Sequence, residues 1–374
     1  MKRSNLLILI LIALLWSDIV KAQASEESNT NFCLQCDEIK NIRLTDVRIN
    51  QTEFILEPTP HCKVLGTLGS EIDFELLLPK DWNSRFVMGG GSGFVGSIIN
   101  IAKPSIIDGY ATSGTNTGHT GHVLLADWAL NNMERQLNFG HLAVHHTAVV
   151  SKEIIRQYYD SEIAYSYFWG CSRGGGQALM EAQRYPEDFD GIVAGAPGYN
   201  WAAFGAKNIQ NSQVMFPNPE KLDESVFTLA NIELLYSNIL KQCDQLDGIN
   251  DSILNDPRDC NFDYNQLPLC ENNVPSENCF TTEQIEAIKV IYSALIIDDM
   301  EIYPGITYGC ENEEMGWQNW ITGPTTTPLA LDFPSLQFGF GTEIYKNFIF
   351  QDPDWDYSTY DFSDFSRTTN FASS

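Results

Sequence analysis

Residues 167–197 read YFWGCSRGGGQALMEAQRYPEDFDGIVAGAP, and the first third of that stretch decides the fold. It contains Gly170-Cys171-Ser172-Arg173-Gly174, a G-x-S-x-G. Glycine and serine are common, so the pattern alone is weak; it gains weight when a strand precedes it and a helix follows. Both contexts are present: 165–169 is an aromatic, strand-like run, and 177–184 has helical composition that stops before Pro186. A serine on so tight a strand-to-helix turn has strained backbone angles, and small neighbours at Gly170 and Gly174 make room for it. The turn lifts the hydroxyl above the sheet edge, beside the free N–H groups of the helix N-terminus. Ser172 is therefore a candidate nucleophile for acyl transfer. The backbone N–H of Arg173 is one expected oxyanion donor. A second should come from the glycine-rich loop after an earlier strand, Gly89-Gly90-Gly91-Ser92-Gly93, with Gly93 or Gly91 favoured. No Lys-Ser/Thr follows those glycines, which argues against a phosphate cradle.

Outward from this motif, strands are expected at 72–76, 85–88, 110–113, 165–169 and 189–194, and helices at 142–159 and 177–184. Strands alternating with helices at this spacing predict an α/β domain with a mostly parallel sheet. From about Tyr199 the texture changes to acidic loops, clustered cysteines and scattered aromatics, which predicts a second unit; a helix over 281–295 is its clearest element.

The chain has 374 residues, enough for one large or two moderate domains, and its formal net charge is -27. That charge would repel nucleic acid and anionic membrane alike. At the N-terminus, Lys2 and Arg3 precede a short apolar run and an A-x-A-like site at Val20-Lys21-Ala22, so 1–22 is expected to be a secretory signal peptide and the protein secreted or periplasmic. No other segment is apolar enough to span a bilayer. Nine cysteines follow, an odd number that leaves at least one thiol unpaired in an oxidising compartment. Cys33-Leu34-Gln35-Cys36 has C-x-x-C spacing without a second pair or histidines to make a zinc site.

Residues 243–253, CDQLDGINDSI, place Asp244, Asp247 and Asp251 around a glycine turn, with the carbonyls of Ile249 and Ile253 as further oxygen donors. On chemistry alone this is either a site for a hard cation such as calcium or a solvated acidic turn.

Taken together, these residues resemble the tannase and feruloyl esterase family, which also includes the hydrolase of the mono-ester left by polyester digestion. The resemblance covers nearly the whole mature chain. It rests on Asp81-Trp82-Asn83-Ser84-Arg85-Phe86 with the glycines after it, Thr117-Gly118-His119 with Asp127-Trp128-Ala129, Cys171-Ser172 with Met180-Glu181-Ala182-Gln183-Arg184-Tyr185-Pro186, and Gln351-Asp352-Pro353-Asp354-Trp355-Asp356. It implies an α/β-hydrolase: the first part of the hydrolase domain over 23–199, and a large inserted lid over 200–374. It further implies a calcium loop at Asp244, Asp247, Ile249, Asp251 and Ile253, and cleavage of small-molecule esters of aromatic acids. In the family the triad Asp and His follow the lid, and a cysteine after that His bonds the one before the serine. All six histidines here precede Ser172. The expectation is therefore a fragment of a longer esterase, lacking the triad Asp and His and leaving Cys171 without its partner. Two alternatives are a shortened chain that recruits His119 or His145 as base, and a non-catalytic secreted module that binds aromatic esters. Disulfides are expected at Cys243–Cys260, which brackets the acidic loop, and at Cys270–Cys279 and Cys36–Cys62. Cys33 and Cys310 stay unassigned, as does the oligomeric state.

Overall fold

The structure is a computed structural model and describes residues 34–326 and 331–366. The expected signal peptide and Cys33 lie outside them. Seven strands form one sheet in the order β1-β2-β3-β5-β4-β6-β7. β1 (Val47–Ile55), β2 (His61–Leu68) and β3 (Ile72–Pro79) make an antiparallel meander. β5 (Ala111–Thr115) pairs antiparallel with β3 and parallel with β4 (Arg85–Gly89). β6 (Tyr165–Cys171) and β7 (Gly191–Gly195) continue the parallel half.

The helices follow the hydrophobic pattern. A short α1 (Met133–Leu137) runs through a π-helical turn into α2 (Ala143–Tyr159). α2 buries Ala148, Ile155 and Tyr158 in the same core as Leu76, Phe86 and Phe168 of the sheet. In β6 the residues Ser166, Phe168 and Gly170 point into this core, as a period-two strand requires, while Tyr165 and Trp169 on the other face are exposed. β7 forms the sheet edge, with Val193 exposed.

After β7 come α4 (Trp201–Met215), α5 (Leu229–Cys243), α6 (Thr282–Tyr292), a β8–β9 hairpin (Leu295–Ile297, Met300–Tyr303) and α7 (Leu336–Ile344), with α3 being the helix Arg173–Arg184 at the serine. Thr228 and Thr281 close capping boxes that start α5 and α6. Trp317, Phe216, Phe280 and Tyr345 are buried, so the aromatics of this unit build its core. Phe94, Trp128 and Phe139, from before residue 199, belong to that same core. The two units therefore share apolar packing across the nominal boundary.

Among the described residues three disulfides are present, Cys36–Cys62, Cys243–Cys260 and Cys270–Cys279, while Cys171 and Cys310 are exposed and bonded to no other described cysteine. No helix among the described residues is long and apolar enough to cross a membrane.

Four differences from the sequence reading have physical causes. α3 begins at Arg173 rather than 177, because its glycines form helix where close packing excludes a side chain: a Cβ on Gly176 would stand 2.1 Å from the Gly198 carbonyl oxygen. α6 stops at Tyr292, since Ser293 is extended and Leu295 joins the hairpin. The β1–β2 pair carries too many polar residues to declare itself by alternation. α4, α5 and α7 have polar residues inside their buried faces, among them Asn208, Asn211, Asn231 and Thr342, which blurs their periodicity.

Candidate active site

Ser172 sits at the junction of β6 and α3 with φ 58 and ψ -120, a conformation costing on the order of 1–3 kcal/mol for a residue with a side chain. Three hydrogen bonds hold it there. Its N–H donates to Gly195 O at 3.0 Å, and its carbonyl accepts from Gly176 N at 3.1 Å and Gly198 N at 2.8 Å. A Cβ at Gly170 would lie 1.9 Å from Gly174 O, so the turn closes only with glycine there. Ser172 is exposed, and its side chain accepts nothing from the helix behind it.

The glycine loop lies against the same helix. Gly91 O accepts from Gly174 N at 3.0 Å, and Gly91 N donates to the buried Gln177 Oε1 at 2.9 Å. The Gly91 amide is thus occupied, whereas no hydrogen bond engages the Gly93 amide among the described residues. Arg173, the first residue of α3, has an N–H with no intrahelical acceptor by helix geometry.

Phe94 anchors the loop. It is fully buried and packs against Trp201, Phe340 and Phe348, with ring centroids 5.3, 5.5 and 6.2 Å away. His119 Nε2 lies 2.9 Å from Phe94 O, and its ring stacks on Trp128 at 3.6 Å. Burial pulls the His119 imidazole down to about 4, against the upward effect of the Phe94 carbonyl, so it is neutral and acts as a prop beneath the loop.

Neither histidine considered as a recruited base reaches the serine. His145 Nδ1 meets Asp188 Oδ2 at 2.6 Å, with its ring stacked 3.9 Å from Tyr185, behind α3. Among the described residues no histidine hydrogen-bonds the Ser172 hydroxyl. His141 is held by the Tyr185 hydroxyl, His61 by Thr59 O, and His122 by Leu124 N.

Behind the serine, α3 carries Glu181, which is fully buried with its carboxyl against that of Asp188. Burial, then the neighbouring Asp188, pushes its carboxyl up to about 9. Lys152 of α2 donates to Asp188 O, and burial lowers its ammonium.

The acidic loop turns its carboxylates onto its own backbone. Asp247 Oδ1 accepts from Ile249 N at 2.9 Å, Asp251 Oδ1 from Ile253 N at 3.2 Å, and the buried Asp244 Oδ1 from Ser252 N at 3.0 Å. The Ile249 and Ile253 side chains are exposed. The donor set is all oxygen and fits a hard cation, although no three acidic, histidine or cysteine side chains converge on one point among the described residues.

Sequence reasoning pointed to Ser172, Arg173 and the 89–93 loop, of which the structure sets Gly90 and Gly91 against α3, and it missed Gln177, Phe94 and Glu181. Gln177 was visible as a polar residue on the glycine face of α3. Phe94 gave no signal, since its partners are distant in sequence, and Glu181 stood in the resemblance motif with nothing to mark it as buried.

Residues 57–373 match the family described as tannase and feruloyl esterase. Feruloyl esterase C of Talaromyces stipitatus is 27% identical over 383 residues, covering 95% of this chain and 68% of that protein. Feruloyl esterase B of Aspergillus niger is 30% identical over 296 residues, covering 76% of this chain and 51% of that protein. The crystal structure of feruloyl esterase B from Aspergillus oryzae superposes with a TM-score of 0.76 at 26% identity, covering 90% of this chain and 68% of that one. The matches thus span about half to two thirds of the relatives' lengths.

Proposed function

Because the chain belongs to the tannase and feruloyl esterase family, we propose that Ser172 is the nucleophile of a serine carboxylic-ester hydrolase acting on small esters of aromatic acids. One observation carries the reading: an exposed serine in a strained turn at the start of α3, with the glycine loop hydrogen-bonded to that helix through Gly91. Attack of Oγ on the ester carbonyl forms a tetrahedral oxyanion, to which the N–H groups of Arg173 and Gly93 donate. Gly93 is the better second donor, since the Gly91 amide is engaged by Gln177. Removing one such donor costs roughly 3 kcal/mol of transition-state stabilisation.

On this reading Ser172 is the nucleophile and the Arg173 and Gly93 amides are the oxyanion donors, while among the described residues no histidine hydrogen-bonds the Ser172 hydroxyl. That favours the second reading, a module that binds aromatic esters without cleaving them, for the 374-residue chain by itself. One experiment separates the two. The purified chain should hydrolyse methyl ferulate near background. Imidazole at high concentration, acting as an external base, should restore turnover in the parent and not in Ser172→Ala. Equal imidazole-driven rates in both proteins would remove Ser172 from the chemistry.

The acidic loop is proposed to take calcium through Asp244, Asp247 and Asp251 and the carbonyls of Ile249 and Ile253. Its role would be structural, holding the lid surface together with the Cys243–Cys260 bond. Export is proposed from the basic and apolar N-terminus, and the three disulfides fit an oxidising compartment.

A further inference from the structure

Beside α3 lies a cavity of about 360 Å³ with neither aspartate nor glutamate in its wall, in a chain of net charge -27. Ser172 and residues 91–93 are not part of it. Its wall includes Arg173 and Arg184, the amide of Gln183, and the apolar Leu137, Met180 and Trp201.

Arg173 is the unusual member. Its residue is only 8% exposed, and its guanidinium lies 4.1 Å over the Phe139 ring and 5.2 Å from the Trp201 ring. Nη2 donates to Phe139 O, and Nε is buried without a partner. No carboxylate pairs with it among the described residues, and burial alone pulls the guanidinium down to about 10. A Cβ placed on Gly176, which also lines the cavity, would come 3.7 Å from Nη1, so that nitrogen stands at the cavity wall. A buried, charged guanidinium without a counter-ion is unfavourable until an anion reaches it. Arg184, exposed at the other end of α3, adds a second cation at the mouth.

We propose that this cavity binds a small organic carboxylate, with its anionic end on Arg173 Nη1, Arg184 adding positive potential at the mouth, and its apolar body against Leu137, Met180 and Trp201. The fork of a guanidinium suits a carboxylate, and Trp201 offers a flat apolar wall to a ring. The inference does not depend on Ser172 attacking an ester.

Isothermal titration of the purified chain with sodium benzoate, and separately with inorganic phosphate, tests it. Benzoate should bind saturably to the parent and equally to Ser172→Ala. Arg184→Gln, a surface change, should weaken binding a few-fold, and Arg173→Met should weaken it by roughly tenfold or more. Should Arg173→Met lose its folded circular-dichroism spectrum, Arg184→Gln carries the comparison. No saturable benzoate binding in the parent would overturn the proposal, as would equal affinity in the parent and the arginine variants. Phosphate binding more tightly than benzoate would overturn its apolar half.

Discussion

Glu181→Gln should convert a pH-sensitive helix into an indifferent one. Glu181 is fully buried on α3, the helix that begins at Ser172, and its carboxyl is pushed up to about 9 by burial and by Asp188. In the unfolded chain the same group titrates near the ordinary glutamate value of about 4.3. Its contribution to stability is fully present below that lower value and is lost as pH rises through the upper one. Between the two, the folded state holds one proton that the unfolded state has released, so this group alone makes unfolding easier by about 1.4 kcal/mol per pH unit. Glutamine keeps the shape and cannot ionise. Lys152 and His145 of α2 and Asp188 and Asp190 of the loop before β7 surround the site, and the Asp188 carboxyl is coupled to Glu181. The difference between parent and variant therefore reads the proton held by the Glu181–Asp188 pair. Urea unfolding at pH 5.5, 6.5 and 7.5 should show the variant gaining on the parent by about 1.4 kcal/mol per step. Parallel stability curves would refute the reasoning, because they would mean that Glu181 is ionised in the fold or still protonated after unfolding.

Three further outcomes follow from the packing. Phe94→Ala empties the aromatic nest between loop and lid and should destabilise by about 3–5 kcal/mol in urea unfolding. Gln177→Ala leaves the Gly91 amide without an acceptor, so hydrogen exchange over 89–95 should quicken and stability fall by about 1–3 kcal/mol. If the acidic loop holds calcium, adding a chelator should lower the melting temperature and excess calcium should restore it; identical melts would remove the ion from the account.

The parts of the fold legible in the sequence were those encoded locally. The turn at Ser172 announced itself because only small neighbours fit a strand-to-helix bend that tight, and the strands 72–79, 85–89 and 165–171 carried their own alternation or apolar runs. What stayed hidden depends on partners far away. Phe94 is an ordinary residue after a glycine loop until Trp201, Phe340 and Phe348 close over it. Glu181 looks like a surface helix residue until α2 covers it, and Arg173 was read for its backbone N–H while its side chain runs into a cavity wall. The lid helices α4, α5 and α7 escaped notice because buried asparagines and threonines interrupt their apolar stripes.

The claim on which the rest depends is that the Ser172 oxygen is presented for covalent attack beside the Arg173 amide. Peptide mapping by mass spectrometry after prolonged exposure to an aryl fluorophosphonate, with imidazole in the buffer, tests it most directly. The account predicts a single adduct on the peptide containing Ser172, and none in Ser172→Ala. An unmodified peptide, or an adduct carried by another residue in both proteins, would contradict it.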